Sequence, residues 1–371
     1  MYVNDALAIW GGLERVLIEK ASLLADQEGY EVCLVTLNQG SHPLPFPLNP
    51  KVLFSDLGIR FHQQFQYHGL VRLVKRMSLN RLYKQRLSSK IKEVSPDIMV
   101  CARAELVDTI VKVKGDIPLV YESHTSRHAH EFLGSDLYTR FKVARHNRHI
   151  RAAQMVVTLT EGDAKDWREI NPQVCVIPNM VSLNDSDTYS DCQAKSVIFV
   201  GRFSTQKDIS SLLQIWEKIH RRYPDWQLQL YGGYGEEQNR LLPLIEQMQA
   251  NIHVHKTTSD IFDRYKENSI LLLTSRFEPF GLVLPEAMSC GLPVVAFDCP
   301  YGPAEIISDC VDGFLIKDRH VEEFVQKVCM LIDNPEMRRE MGQAGIQASR
   351  RYAADRILPL WKELFERLSH E

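Results

Sequence analysis

The chain of 371 residues is long enough for two domains with separate cores, because a single domain typically holds about 100–200 residues. Its apolar share of 44% and charged share of 25% exclude a disordered, collagen-like or coiled-coil chain. The formal net charge of −3 argues against a dedicated nucleic-acid-binding protein, which would carry a basic excess.

Short apolar runs alternate with longer segments of helical period from the start of the chain, a pattern typical of βα units on a parallel sheet. The first helix is predicted at Gly12–Asp26, where the apolar residues fall on one face. The strands predicted in the front half are Glu31–Leu37, Asp97–Cys101, Pro118–Tyr121 and Gln154–Leu159.

A polar run at 181–195, rich in Ser, Asp and Asn, predicts a linker between two domains. The strands predicted after it are Ser196–Val200, Gln227–Tyr231, Ile252–His255, Ile270–Thr274, Val294–Phe297 and Phe314–Ile316. We therefore expect two α/β domains, 1–180 and 181–351, whose open parallel sheets face a central cleft and bind ligands at the carboxyl ends of the strands. Tyr352–Leu368 is predicted to form a helix, within residues 352–371, that packs back against the first domain.

The eight cysteines are widely spaced, with no Cys-x-x-Cys pair and no histidine at zinc-ligand spacing, which favours a reducing compartment. No run approaches the ~20 apolar residues of a membrane span, and the N-terminus lacks the pattern of a signal peptide. We therefore expect a cytoplasmic chain.

The segment Ser275–Pro293 (SRFEPFGLVLPEAMSCGLP) follows an apolar strand, passes through Gly281 and enters a helix near Pro285. Backbone N–H groups at such a helix start suit a phosphate. Glu278 and Glu286, with seven residues between them, place carboxylates around this turn, where they suit the hydroxyl groups of a ribose or hexose. The alternative is an ordinary capped turn with a surface glutamate at each end.

The segment Val200–Asp208 (VGRFSTQKD) also leaves a strand through a glycine. Arg202 and Lys207 lie five positions apart in this loop, where two cations would pair with a diphosphate. The alternative is a pair of solvated loop cations. Two such loops in one domain favour a nucleotide diphosphate as the ligand.

Together, the acidic segment and the Gly-Arg-x(4)-Lys loop resemble the donor site of the retaining GT4 glycosyltransferases, which have the GT-B fold of two Rossmann-like domains. The Glu-x(7)-Glu spacing is the hallmark of that family. Gly11–Val16 (GGLERV) resembles its first glycine-rich loop, and Glu122–His124 (ESH) resembles a loop that carries a histidine near the transferred sugar. Family members begin with an apolar strand of about six residues, whereas here only Met1–Val3 precede Asn4, so the first strand is expected to be short or trimmed at its start.

The resemblance implies that Arg202 and Lys207 neutralise the leaving diphosphate, that Glu286 binds the ribose and that Glu278 binds the sugar. The departing diphosphate gains negative charge while the sugar gains oxocarbenium character, so fixed cations would stabilise the transition state without a metal. No cofactor other than the nucleotide diphosphate sugar, a co-substrate, is expected.

The resemblance also assigns backbone groups and one histidine. The backbone of Phe280, Gly281 and Leu282 would bind the phosphate and sugar. Gly12 would approach the diphosphate from the first domain, which only a residue without a side chain allows. His124 would lie by the anomeric centre or an outer hydroxyl of the sugar, whereas a lone histidine is more often structural.

The expected activity is transfer of a hexose or N-acetylhexosamine, with retention of configuration, from a nucleotide diphosphate sugar, foremost a UDP-sugar, to a lipid-linked or growing glycan. Bacterial surface polysaccharide, capsule or lipopolysaccharide synthesis is the implied setting. The alternatives are a GT-B epimerase or phosphorylase, and a non-catalytic protein that binds nucleotide sugars.

A basic segment in the front half has eight cations and no acidic residue: Arg72, Lys75, Arg76, Arg81, Lys84, Arg86, Lys90 and Lys92. The apolar residues interspersed with them are Leu70, Leu73, Val74, Met77, Leu87 and Ile91. This pattern predicts a basic amphipathic helix suited to an anionic bilayer or a lipid diphosphate, and the alternative is an ordinary solvated face. A second cluster strengthens the prediction of peripheral contact with the inner face of the plasma membrane, and it comprises Arg140, Lys142, Arg145, His146, Arg148, His149 and Arg151.

The charge is distributed unevenly, with +4 over residues 1–180 and −7 over the remainder. We expect the basic half to face the membrane and acceptor and the acidic half to hold the donor. Asp185–Asp187 (DSD) imitates a metal-binding motif, but it lies in the predicted linker and is interpreted as a polar segment. Gly232–Gly235 (GGYG) is interpreted as a packed turn.

Overall fold

The computed structural model describes residues 1–127 and 137–370, and its internal contacts divide the chain into two compact units. One unit comprises Met1–Met180 and Ile357–Glu371, and the other comprises Val181–Arg356. Among the described residues, no helix combines the length and the apolarity needed to cross a bilayer.

The first unit contains a sheet whose strands, over the described residues, are β1 (Tyr2–Asn4), β2 (Cys33–Thr36), β3 (Leu53–Asp56), β4 (Met99–Cys101), β5 (Leu119–Glu122), β6 (Met155–Thr158) and β7 (Val174–Val176). They pair in parallel in the order β3-β2-β1-β4-β5-β6-β7. β1 is short but fully buried, because it lies in the middle of the sheet between β2 and β4.

The helices of this part of the chain are α1 (Gly12–Ala25), α2 (Gly69–Val94), α3 (Ala104–Val113), α4 (Leu137–Ile150) and α5 (Glu161–Arg168). In α1, Val16, Leu17, Ala21 and Leu24 recur at helical spacing and are buried. A 3₁₀ turn at Phe61–Gln66 precedes α2.

The second unit repeats this architecture. Its strands are β8 (Ser196–Val200), β9 (Gln227–Gly232), β10 (Ile252–Lys256), β11 (Ile270–Leu273), β12 (Val294–Asp298) and β13 (Gly313–Lys317). They pair in parallel in the order β10-β9-β8-β11-β12-β13. The helices are α6 (Ile209–Arg222), α7 (Gln238–Met248), α8 (Ile261–Lys266), α9 (Val283–Ser289), α10 (Gly302–Ile306), α11 (Val321–Asp333) and α12 (Pro335–Ser349).

The strand order determines where a ligand can bind. The order of the second sheet reverses between β8 and β11, so the loops after these two strands leave the carboxyl edge side by side. Such a reversal opens a crevice, which is the usual ligand site of an open α/β sheet. The corresponding reversal in the first sheet lies between β1 and β4.

The last helix, α13 (Ala354–His370), is strongly amphipathic, and its chain from Ile357 onwards belongs to the first unit. It buries Ile357, Leu358, Trp361, Leu364, Phe365 and Leu368. The ring of Trp361 covers the ammonium of Lys20 on α1 at 3.8 Å from the ring centroid.

The prediction of an α/β chain with two parallel sheets is confirmed, and every predicted strand is present with its ends shifted by at most two residues. β3 and β7 were not predicted, because both lie at sheet edges, where a strand need not be a continuous buried apolar run. Residues 181–195 contain no helix or strand and are held onto the second unit, for example by the amide of Ser190 donating to the Cys290 carbonyl at 2.8 Å.

Candidate functional site

The loops after β8 and β11 are joined by hydrogen bonds at the carboxyl edge of the second sheet. The amide of Arg276 donates to the carbonyl of Gln206 at 2.8 Å, and the Gln206 side chain donates to the carbonyl of Phe277 at 3.0 Å. The hydroxyl of Thr274 donates to the carbonyl of Lys207 at 3.1 Å. The two segments singled out in the sequence therefore form one site.

The centre of this site is an ion pair between its two loops. Lys207 Nζ lies 2.5 Å from Glu278 Oε1, and the hydroxyl of Ser275 donates to the same oxygen at 2.6 Å. Both charged side chains are mostly buried, so Lys207 is not a solvated loop cation. Arg202 is exposed and has no ion-pair partner in the described part of the chain, which leaves its guanidinium accessible to a ligand.

Asp208, next to Lys207, was not identified as a site residue. It caps α6 with φ at +46°, a left-handed conformation that is uncommon outside glycine, and accepts from Ser211. Arg319, after β13, lies 2.6 Å from its carboxylate and donates to the carbonyls of Thr274 and Ser275. One guanidinium thus ties both loops together, and no local pattern reveals it because Asp208 and Arg319 are 111 positions apart.

The backbone of Glu278 is held by the loop after β12. Its amide donates to the Pro300 carbonyl at 2.6 Å, and its carbonyl accepts from the amides of Tyr301 and Gly302 at 2.9 Å each. A Cβ on Gly302 would lie 1.8 Å from the carbonyl oxygen of Phe280. The approach of these two backbones therefore requires glycine at 302.

The turn between the two glutamates leads directly into α9. Phe280 is buried with its ring edge-to-face against Tyr352, at 5.1 Å between centroids. Gly281 has φ at +95°, and Leu282 precedes the first residue of the helix. The sequence predicted the start of this helix near Pro285, and in the structure it begins two residues earlier, at Val283.

Glu286 is buried on α9, and its Oε2 accepts from the hydroxyl of Tyr265 at 3.0 Å. Glu278 is buried as well, so the alternative of surface glutamates at both ends of the turn is wrong. Tyr265 was not identified from the sequence, because a buried tyrosine in a short helix carries no distinguishing pattern.

The glycine turn after β9 packs against the loop that carries Arg202. A Cβ on Gly232 would lie 2.3 Å from the carbonyl oxygen of Gly201, and one on Gly235 would lie 2.2 Å from that of Phe203. Both glycines have positive φ. The turn therefore supports the loop through close backbone approach, in agreement with its interpretation as a packed turn.

In the first unit, the glycine-rich loop after β1 leads into α1. Gly12 is exposed as the first residue of the helix. Glu14, two residues further, is buried 3.9 Å from the guanidinium of Arg103, which follows β4. These residues lie at the carboxyl ends of β1 and β4, where the strand order reverses.

His124 follows the carboxyl end of β5, and its side chain is almost fully buried. Its Nε2 lies 3.1 Å from Glu122 Oε1, an oxygen that also contacts the ammonium of Lys20. The histidine is therefore held beside a charged pair that the sequence did not reveal.

The loop that carries His124 is anchored by Asp163 on α5. This carboxylate accepts from the amide of Arg127 at 2.8 Å, from the hydroxyl of Ser123 at 3.3 Å and from the indole of Trp167 at 3.1 Å. Burial raises the pKa of the Asp163 carboxyl to about 6, although these three donors oppose the shift.

The basic helix α2 divides into two parts with different surroundings. Its buried residues are Leu79, Tyr83, Leu87 and Ile91. Leu87 and Ile91, which the sequence assigned to a membrane-facing stripe, therefore belong to the core. The apolar residues of its first turns are each more than half exposed, and they are Leu70, Val71, Leu73, Val74 and Met77. The cations Arg72, Lys75, Arg76, Arg81 and Lys84 have no acidic partner among the residues that the structure describes.

The second basic cluster is partly neutralised. Arg145 and His149 on α4 lie 3.5 Å and 3.2 Å from the carboxylate of Asp108, and Arg151 donates to the Ile170 carbonyl at 3.1 Å. The side chains of Arg140 and Lys142 lie outside the described part of the structure. This cluster therefore supplies less free charge than α2.

Asp185–Asp187 (DSD) lies in the irregular segment of the second unit, where Asn184 bonds Ser186 and Thr188. Within the described residues, no group of three or more His, Cys, Asp or Glu side chains is arranged to hold a metal ion.

Two family profiles match almost the whole chain: Glycosyltransferase Family 4 over residues 10–185 and Glycosyl transferases group 1 over residues 187–348. An uncharacterised glycosyltransferase of Haemophilus influenzae is 27% identical over 95% of both chains. The amylovoran biosynthesis glycosyltransferase AmsD of Erwinia amylovora is 29% identical over 97% of both chains.

A solved structure with a similar fold is that of Anabaena HepE in complex with UDP. It superimposes with a TM-score of 0.74 over 100% of this chain and 99% of that one, at 18% identity. At this level of identity the likeness shows a shared fold.

Proposed function

The chain belongs to the family 4 glycosyltransferases of the GT-B fold, and from this membership we propose that it transfers a hexose or N-acetylhexosamine from a nucleotide diphosphate sugar to a lipid-linked or growing glycan, with retention of configuration. The observation that carries the proposal is the meeting of the two loops in the second unit, where Lys207 contacts Glu278.

The donor binds at these loops. Arg202 and Lys207 bind the diphosphate, the backbone of Phe280–Leu282 binds phosphate and sugar, and Glu278 binds sugar hydroxyls. Lys207 then exchanges part of its contact with Glu278 for a phosphate oxygen, which leaves the carboxylate to accept from the sugar. Glu286, oriented by Tyr265, accepts from the ribose hydroxyls.

The reaction develops charge that these residues complement. As the glycosidic bond to phosphate breaks, negative charge grows on the diphosphate and positive charge grows on the sugar ring. Lys207, held between the two loops, and Arg202, whose guanidinium is accessible, stabilise the leaving group, and each contributes about 3–4 kcal/mol, or about 100–1000-fold in rate. We propose that this replaces a metal ion, so that activity persists in a chelator.

The donor nucleotide is UDP in this proposal. The fold shared with Anabaena HepE, whose structure contains UDP, supports this choice. The amylovoran biosynthesis enzyme that resembles this chain supports a role in bacterial surface polysaccharide synthesis. In that setting, the basic first unit faces an anionic lipid-linked acceptor.

The acceptor side rests on an anionic bilayer through α2. At about 100° per residue, Leu70, Val71, Leu73, Val74 and Met77 fall within an arc of about 160°, and Arg81 and Lys84 continue the same face. Exposed apolar side chains next to unpaired cations match a bilayer with acidic headgroups, since the apolar groups enter the acyl boundary while the cations meet phosphate. This would place the enzyme at the cytoplasmic face of the plasma membrane.

The transfer is tested with a panel of radiolabelled nucleotide sugars and lipid-diphosphate acceptors. We expect label to move to the lipid with one UDP-sugar, both with and without EDTA. If no donor is consumed with any acceptor, the proposed activity is wrong. If EDTA stops the transfer, only the proposal of metal independence is wrong.

The membrane contact is tested by flotation with vesicles that contain phosphatidylglycerol. We expect binding that weakens with salt and after replacing Arg72, Lys75 and Arg76 by glutamine. As a matched control, replacing Lys51 by glutamine should leave flotation unchanged, because its ammonium pairs with Asp26 at 2.8 Å. Binding that is independent of salt, or dimerisation through α2 without flotation, contradicts the bilayer as the occupant.

A further inference from the structure

Lys20 is a buried cation in the middle of α1, whose other buried side chains, apart from Glu14 near its start, are apolar. Its side chain and that of Glu122 are each 1% exposed. Removing two charges from water has a high cost, and a buried ion pair often stabilises a fold no better than apolar side chains of similar size. Stability alone therefore does not explain why this pair is buried.

The pair is enclosed by aromatic rings. The ammonium of Lys20 lies 3.8 Å from the centroid of the Trp361 ring and 5.4 Å from that of Tyr2, and it contacts Glu122 Oε1. Rings that face a cation supply attraction where water is excluded. Both partners are thus held in a single arrangement.

Among the described residues, His124 links this buried pair to the candidate site. Its Nε2 faces, at 3.1 Å, the oxygen of Glu122 that contacts Lys20, a charge contact without the alignment of a hydrogen bond, and within the described residues neither this nitrogen nor Glu122 Oε2 has a hydrogen-bond partner. Burial by itself would raise the pKa of Glu122, but the ammonium of Lys20 and the His124 ring together lower it to about 2. The carboxylate beside the histidine is therefore ionised.

We infer that Lys20 and Glu122 are positioning residues, which hold the His124 ring in one orientation with its proton on Nε2 and leave Nδ1 as the nitrogen available to a ligand. Lys20 fixes the carboxylate, and the carboxylate fixes the ring. The inference rests on the proposed function, in which His124 contacts the sugar that is transferred.

The test compares Lys20→Met with the double variant Lys20→Met/Glu122→Met in the full chain. The single variant leaves a buried carboxylate without its cation, so its melting temperature should fall. The double variant removes both charges and should recover that loss. Its kcat should nevertheless stay about 10- to 100-fold below that of the parent, the loss seen when metal-binding histidines lose the group that orients them, with donor KM within about threefold. The donor residues lie in the second unit and are unchanged.

Ring ¹⁵N spectra of the histidines test the inference independently of enzyme activity, because they report which ring nitrogen carries the proton. Because the chain has 13 histidines, the His124 signals are assigned from their loss in His124→Gln. We expect a proton on Nε2 in the parent and a mixture of tautomers in the double variant. If the double variant fails to fold, the spectrum of Glu122→Gln is compared with that of the parent. We expect the Nε2 signal of His124 to shift.

Arg338→Met is the matched control for a buried cation without a role at the site. Arg338 lies in the second unit and donates to the carbonyls of Cys192, Leu331 and Ile332. Its loss should lower the melting temperature while kcat below that temperature is retained. A double variant that recovers both stability and kcat, or a His124 spectrum that does not change, overturns the inference. A parent without turnover contradicts the proposed function alone, and the spectra still decide this inference.

Discussion

Replacing Lys207 by methionine tests the centre of the donor site, because it removes the cation and keeps a similar volume. The proposed function assigns this ammonium to the leaving diphosphate, so its loss should lower kcat by about 100–1000-fold, or about 3–4 kcal/mol of transition-state stabilisation. The ¹⁴C-sugar transfer assay, at saturating donor, measures this directly.

The same substitution also has a cost in stability that can be derived from the contacts. The side chains of Lys207 and Glu278 are mostly buried, and their charged atoms lie 2.5 Å apart. Without the lysine, the Glu278 carboxylate keeps its hydrogen bond from the Ser275 hydroxyl. We expect a loss of about 3 kcal/mol, which lowers the melting temperature by about 6–12 °C in a unit of this size. Lys207→Met/Glu278→Gln should recover most of that loss while turnover stays low.

An exposed ion pair in the same unit supplies the control. Lys195 lies 2.5 Å from Asp225 with both side chains more than half exposed, so Lys195→Met should leave the melting temperature and turnover close to those of the parent. A Lys207→Met enzyme that turns over within about threefold of the parent would refute the role of this cation.

Three further outcomes are expected. Burial raises the pKa of Asp163 to about 6, so its protonated form stabilises the fold below about pH 4 and this contribution is lost as the pH rises through 6. Asp163→Asn removes one acceptor oxygen at every pH but does not ionise, so the melting temperature of the variant relative to the parent should be higher at pH 7.5 than at pH 4.5, as calorimetry would show. Gly302→Ala forces a Cβ against the Phe280 carbonyl and should cost about 1–3 kcal/mol and weaken UDP binding, measured by titration calorimetry. Tyr265→Phe removes the donor to Glu286, and we expect donor KM to rise by about three- to tenfold with kcat changed less, in initial-rate assays.

The sequence was most informative where the physical signal is local. Apolar runs and helical periodicity located β8–β13 to within two residues, because burial on a parallel sheet needs continuous apolar strands. The same signal missed β3 and β7, which are short or half-exposed edge strands. The two loops with Arg202, Lys207, Glu278 and Glu286 were also identifiable, since glycine after a strand is a local feature.

The amphipathic pattern of α2 shows the limit of periodicity. Its cations and apolar residues were visible in the sequence, but the pattern did not tell which apolar residues the fold would use. Leu87 and Ile91 join the core cluster that also contains side chains of β2, β4 and α3, whereas Leu70, Val74 and Met77 stay exposed.

The sequence by itself determined the two α/β units, all of their described strands except β3 and β7, and the residues of the donor loops, because each depends on a short stretch of chain. Only the tertiary structure decided which of these residues meet. Lys207 and Glu278 are 71 positions apart, Lys20 and Glu122 are 102, and Asp208 and Arg319 are 111. Such contacts depend on strand order, which places β11 beside β8 and β5 near β1, and strand order is a property of the assembled sheet that local spacing does not record.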